Sequence, residues 1–160
     1  MKYHKLSKFQ FHEMHQEFSV FLAAQGITKQ DWDYIKLEKP EAIDHYLNNF
    51  SDMIWEKILS NCRYLDFITS DQVYLFETKE NLAKVIVLKI DYNFADLTST
   101  IGFKKVLKFL HSDQVNLFTS SKSYFPSRNK FIYNYLKKGA TISKGERYRL
   151  LDSNFSNSSK

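Results

Sequence analysis

Four ionisable side chains crowd one stretch near the start of the chain: His12, Glu13, His15 and Glu17. On a helix, residues three apart share a side, so His12 and His15 could reach one metal ion, with Glu17 on neighbouring ground. The spacing is not the His-Glu-x-x-His of zinc proteases, and no third ligand follows from the sequence. His15 also falls on an apolar stripe, which fits a core position, with His12 solvated. With a single cysteine, Cys62, no internal disulfide or paired-cysteine zinc site can form, and burial is its expected fate. No metal and no cofactor is expected. Hydrolytic catalysis fares no better, because the chain has no Gly-x-Ser-x-Gly elbow. Its four glycines are Gly26, Gly102, Gly139 and Gly145; the segment from Gly139 to Gly145 ends in Lys-Gly with no Ser or Thr after the lysine, so it is no P-loop. The carboxylate pairs Asp31 with Asp33 and Asp91 with Asp96 fit helix caps and solvated faces. An enzyme would require a concave pocket holding titratable groups with perturbed pKa values.

Cations interleaved with aromatic residues offer a different chemistry. Lys104, Lys105 and Lys108 lie on one helix away from Leu107 and Leu110. Lys122, Arg128, Lys130, Lys137, Lys138, Lys144, Arg147 and Arg149 follow, with Tyr124 and Tyr133 among them. Cations neutralise phosphates and aromatic faces stack on unpaired bases, so a shared face would suit RNA. Dispersed over solvated helices, with the rings in the core, the same residues would carry no site. Charge is divided along the chain: residues 1 to 80 hold 9 Lys and Arg against 13 Asp and Glu, and residues 81 to 160 hold 14 against 5. A basic second half attracts polyanions and acidic proteins. No base-reading motif accompanies it, so binding would rest on phosphate and shape.

The element that must organise these residues is a β-hairpin over Gln72 to Tyr92. Its second run, Val85 to Ile90, is nearly all apolar, as in a strand covered on both faces. Before it, Ser7 with Gln10 reads as a capping box opening a helix from Lys8 to Gln25, closed by Gly26. Thr28 with Asp31 opens a short helix, and Glu41 to Leu59 supplies a third, with Pro40 at its start. Residues 63 to 68 either extend that helix or form a strand leading into the hairpin, and the strand is the favoured reading. After the hairpin, Thr98 or Ser99 caps a helix reaching Leu110, Val115 to Phe118 is a short strand, Ser120 to Ser127 a loop, and Arg128 to Lys138 a helix. Ser143 with Glu146 reads as a further capping box before a helix to Leu151.

Residues 64–76 and 106–118 match at 8 of 13 positions. They are either a duplicated small element or two uses of one Ser-Asp-Gln turn before a buried strand.

Several segments together resemble a family of small cytosolic Bacteroidota proteins that form a domain of unknown function. They are Met1-Lys2-Tyr3, Glu17-Phe18 with Phe21-Leu22-Ala23, Glu38-Lys39-Pro40, Phe50-Ser51-Asp52 with Trp55-Glu56, and Lys137-Lys138-Gly139-Ala140 leading to Lys144-Gly145-Glu146. The resemblance spans the chain to about Leu151 and implies a soluble cytosolic protein, without assigning active-site residues. The first 15 residues have no export signal, and no run is long and apolar enough to span a membrane. The expectation is a single α+β domain over 1–151, a small antiparallel sheet packed by amphipathic helices, and a disordered tail over 152–160. The expected function is non-enzymatic binding or adaptation, contacting RNA or a ribonucleoprotein through the basic half. The alternatives are a protein-interaction module or homodimer using aromatics such as Trp32, Trp55 or Tyr124, and a small enzyme with an unrecognised active site.

Overall fold

A computed structural model describes residues 1–156, and the expected disorder of 157–160 lies outside them. The chain is α+β and divides into two compact units, Met1–Ser60 and Asn61–Lys160.

The first unit is helical. Ser7 and Gln10 form the expected capping box, and so do Thr28 and Asp31. The first helical stretch is not continuous: α1 (Lys8–Glu13) and α2 (His15–Ala24) meet at Met14, whose ψ of 26° departs from helix. The break lets Phe11 and Met14 from one side, and Phe18 and Phe21 from the other, close around Phe50. His15 is exposed rather than in the core, as is His12. After α3 (Lys29–Glu38) and a short 3-10 turn at Pro40–Ala42 comes α4 (Ile43–Asn61), which supplies the buried Phe50 and Ile54.

Phe50 is fully buried, with the rings of Phe18, Phe21 and Phe11 at 5.1, 5.4 and 5.9 Å, mostly edge-on as aromatic quadrupoles favour. The residues before α1 run along α4. Asp52 accepts from the amides of Lys2 and Tyr3, Glu56 accepts from the Tyr3 hydroxyl, and the buried Ser51 hydroxyl accepts from the Leu6 amide.

The second unit is built on an antiparallel sheet of order β4-β3-β2-β1-β5. Its strands are β1 (Tyr64–Ile68), β2 (Gln72–Thr78), β3 (Leu82–Ile90), β4 (Val115–Ser123) and β5 (Thr141–Ser143). The expected hairpin is β2–β3, and β3 is covered on both faces. Alternation sends Val73, Leu75, Ile86, Leu88 and Val115 to one face, where α5 (Thr100–Leu107) and α7 (Glu146–Ser156) contribute Val106, Tyr148 and Leu151. On the other face α6 (Arg128–Lys137) packs Phe131 and Tyr135 on Phe76, with centroids 5.7 and 4.6 Å away.

Four local expectations need correction. The helix α5 stops at Leu107, because the amides of Lys108, Phe109 and Ser112 turn back to carbonyls three residues earlier; Leu110 still reaches the core. Strand β4 continues through Ser123, since the ladder with β3 runs from Ile90↔Val115 to Leu82↔Ser123 and claims half of the expected loop. Ser143 is no helix cap: it ends β5, donates to Asp66 at 2.9 Å and accepts from the Gly145 amide. Helix α7 passes Leu151 and runs through Ser156, which makes the start of the expected tail helical.

The internal echo is neither a repeated element nor one turn used twice, since the Thr69 amide bonds the Gln72 carbonyl in the first copy and the Val115 amide bonds the Ser112 carbonyl in the second. Ser70-Asp71-Gln72 leads from β1 into β2, whereas Ser112-Asp113-Gln114 leads from the end of α5 into β4.

Candidate anion-contacting site

The cations expected in the site, Lys122 excepted, fall into three groups. The first is structural. Arg128 sits at the start of α6, and its guanidinium donates to the carbonyls of Cys62, Thr78 and Lys79 and to the Thr78 hydroxyl. Planar forked donors suit several carbonyls at once, and here they tie the entry of β1 to the exit of β2. Tyr124 donates to the same Lys79 carbonyl at 2.7 Å, and burial pushes its hydroxyl pKa up. Cys62 is buried beside them, with its thiol pKa likewise raised by burial.

The second group belongs to α6 and the residue after it. The ammonium groups of Lys130 and Lys137 lie 5.1 and 5.0 Å from the ring centroid of Tyr133, and that of Lys138 lies 5.0 Å from Tyr135. Tyr133 is itself buried, so its ring is not presented for stacking on a base. Lys122, on the exposed part of β4, belongs to neither helix layer.

The third group lies on the opposite face of the sheet, on α5, α7 and the residues beside them. Lys104, Lys105, Lys108, Lys144, Arg147 and Arg149 are all exposed there. The α5 sequence holds no acidic residue, whereas α7 adds Glu146 and Asp152 to its arginines. Lys105 donates to the Phe94 carbonyl and lies over that ring, and Arg149 lies over Tyr64.

Within this group one cavity, of about 280 Å³, brings residues from separate segments together. Lys104 and Arg147 stand on its wall with the hydroxyl residues Thr98, Ser99 and Thr100, and Leu97 and Phe103 are among its apolar lining. Ser99 caps α5, accepting from the Gly102 amide at 2.9 Å. Gly102 is required at that position because a Cβ would stand 1.9 Å from the Asp96 carbonyl oxygen.

Arg147 is oriented by Asp66, a buried carboxylate that receives its Nη1 at 3.1 Å and the Ser143 hydroxyl as well. Its guanidinium also lies 5.7 Å from the Phe103 ring centroid. The Thr98 hydroxyl donates to the Asp96 carboxylate and the Ser99 hydroxyl to the Asp96 carbonyl, so the chemistry available is recognition of an anionic group by two cations above an apolar floor.

Thus the structure separates the expected site residues. It unites Lys104 with Arg147, keeps Lys105, Lys108, Lys144 and Arg149 in the same layer, sets Lys130, Lys137 and Lys138 across the sheet, and engages Arg128 and Tyr124 internally. The hydroxyls of residues 98–100 were missed by charge reasoning; their run ahead of α5 was the signal, read only as a cap.

Outside this unit, Trp55 donates to the His4 carbonyl and packs on His4 and Tyr3, while Trp32 packs between Phe18 and Tyr46. Among the described residues no group of three His, Cys, Asp or Glu side chains is placed to hold a metal ion, and no helix is long and apolar enough to cross a membrane.

Fold and site together define an α+β protein with a cation-walled, apolar-floored cavity beside an antiparallel sheet. The chain belongs to a family of unknown function, DUF6495, whose model matches residues 1–156. Neither a curated protein nor a solved structure matches it.

Proposed function

We propose that this is a non-enzymatic binding or adaptor protein whose second unit contacts a polyanion, RNA or a ribonucleoprotein, through the α5–α7 layer. The observation that carries the reading is the meeting of Lys104 and Arg147, from different helices, on one hydroxyl-lined cavity. The unit spanning 61–160 holds 16 Lys and Arg against 9 Asp and Glu, which adds a long-range attraction for phosphate. A binding role is further supported by the groups with raised pKa. Cys62, Tyr124 and Tyr148 owe their shifts chiefly to burial and are not among the residues lining that cavity. Trp32 and Trp55 pack on neighbouring rings and Tyr124 donates to a main-chain carbonyl, which disfavours these three as the means of contact. The cytosolic setting and Bacteroidota origin implied by the resemblance belong to the same proposal.

Titration with labelled single-stranded RNA over a range of salt concentrations tests it. Each phosphate contact on a single strand contributes about −0.7 to the slope of log K against log salt. Replacing Lys104, Lys105 and Lys108 together by Gln should weaken binding and flatten the slope by about 2. Replacing Lys137 and Lys138 by Gln should leave both nearly unchanged. The reading fails if the wild type shows no salt-dependent binding, or if the α6 substitutions carry the loss instead.

A further inference from the structure

The strand β4 ends the sheet order, and residues 118–123 are exposed. Which of its backbone groups point outward follows from two bonds at the ends of the β2–β3 ladder. The Ile90 amide donates to the Asp71 carbonyl at 3.0 Å, and the Lys79 amide to the Leu82 carbonyl at 3.1 Å. Even-numbered residues of β3 therefore bond toward β2, and odd-numbered ones toward β4. Opposite the odd positions stand Asn116, Phe118, Ser120 and Lys122. The amides and carbonyls of Leu117, Thr119 and Ser121 consequently face away from the sheet.

Such an edge is a template for one more strand. Its flanking charge has one sign: β3 supplies Lys84 and Lys89, β4 supplies Lys122, and neither strand contains an acidic residue. Lys89 and Lys122 share the face that carries the exposed Phe118, with the Lys89 ammonium 6.0 Å from the Phe118 ring centroid. Lysines on an edge oppose pairing with a second identical edge, since like charges would gather along the seam.

We infer that β4 accepts an extended acidic segment of a partner protein as a sixth strand. Leu117, Thr119 and Ser121 supply the main-chain bonds, and Lys89 and Lys122 select for carboxylates on the Phe118 face. This surface is separate from the α5–α7 cavity and stands or falls without it.

The probe is a peptide of about nine residues, the strand length that this edge can pair, alternating glutamate with valine. Bound peptide should protect the amides of Leu117, Thr119 and Ser121 from hydrogen exchange and leave those of Phe118 and Ser120, already in the ladder, unchanged. Thr119→Pro removes an outward N–H without touching the β3 ladder, a substitution that edge strands tolerate. It should weaken binding about tenfold or more, the effect of losing one or two main-chain bonds. Unchanged protection of the Phe118 and Ser120 amides verifies that the variant keeps its sheet. Independently of any variant, an N-methylated peptide should fail to bind the wild type.

Replacing Lys89 and Lys122 by Gln should weaken binding several-fold and reduce its salt dependence. The inference is overturned if the peptide does not bind saturably, if a glutamine-for-glutamate peptide binds equally well, or if Thr119→Pro binds normally. It is overturned equally if the same amides become protected with rising protein concentration and no peptide, which would make a second copy the occupant.

Discussion

Phe50→Ala should lower the stability of the first unit by about 3–5 kcal/mol, the range for truncating a fully buried Phe. Its ring is the hub of a cluster to which α1, α2 and α4 all contribute, and three aromatic neighbours would face the vacated space. Phe50→Leu keeps more of the volume and should cost well under half as much. Both tryptophans of the chain, Trp32 and Trp55, lie in residues 1–60, so urea unfolding followed by tryptophan fluorescence reads this unit selectively. A loss below about 1 kcal/mol for Phe50→Ala would show that the cluster relaxes around the void and does not depend on that ring.

Arg147→Met should destabilise the second unit by about 3 kcal/mol, the low end of the range for stripping a buried charge of its partner. The low end applies because the Arg147 side chain is 49% exposed whereas that of Asp66 is 2% exposed, so the penalty falls almost wholly on the carboxylate left behind. Asp66→Leu combined with Arg147→Met removes both charges and should recover most of the loss, as apolar replacements of buried pairs often do. Far-UV circular dichroism through urea unfolding supplies the four corners of the cycle. Equal losses in the single and double variants would mean that the contact is incidental and that other packing joins α7 to β1. Hydrogen exchange should localise the damage to β1, β5 and the start of α7, the segments joined through Asp66 by Ser143 and Arg147.

Local signals were legible where a side chain acts on its own backbone or where burial demands an apolar run. The capping boxes at Ser7 and Thr28 depend on residues three apart, and the β3 run from Val85 to Leu88 is apolar because both its faces are covered. Edge segments give no such signal. Ser120 to Ser123, which read as loop, and Thr141 to Ser143 are strands by virtue of the neighbour they pair with, and neither shows an apolar run. Site geometry was hidden for a different reason. A guanidinium's place in the sequence does not say whether it meets a carboxylate, a row of carbonyls or water. Arg128 and Arg147 look equivalent as letters, yet one fastens the mouth of the β1–β2 pair and the other stands on a cavity wall beside Lys104.

The sealed position of Cys62 makes the second unit its own reporter. It is the chain's sole sulfhydryl, and only 1% of its surface is accessible. A thiol reagent can reach it only when the crossing held by Arg128 and Thr78 comes apart, so the pace of alkylation in native buffer clocks the breathing of that end of the sheet. Meanwhile a cysteine installed on the exterior should take a dye or spin label ahead of Cys62, which reacts only on opening.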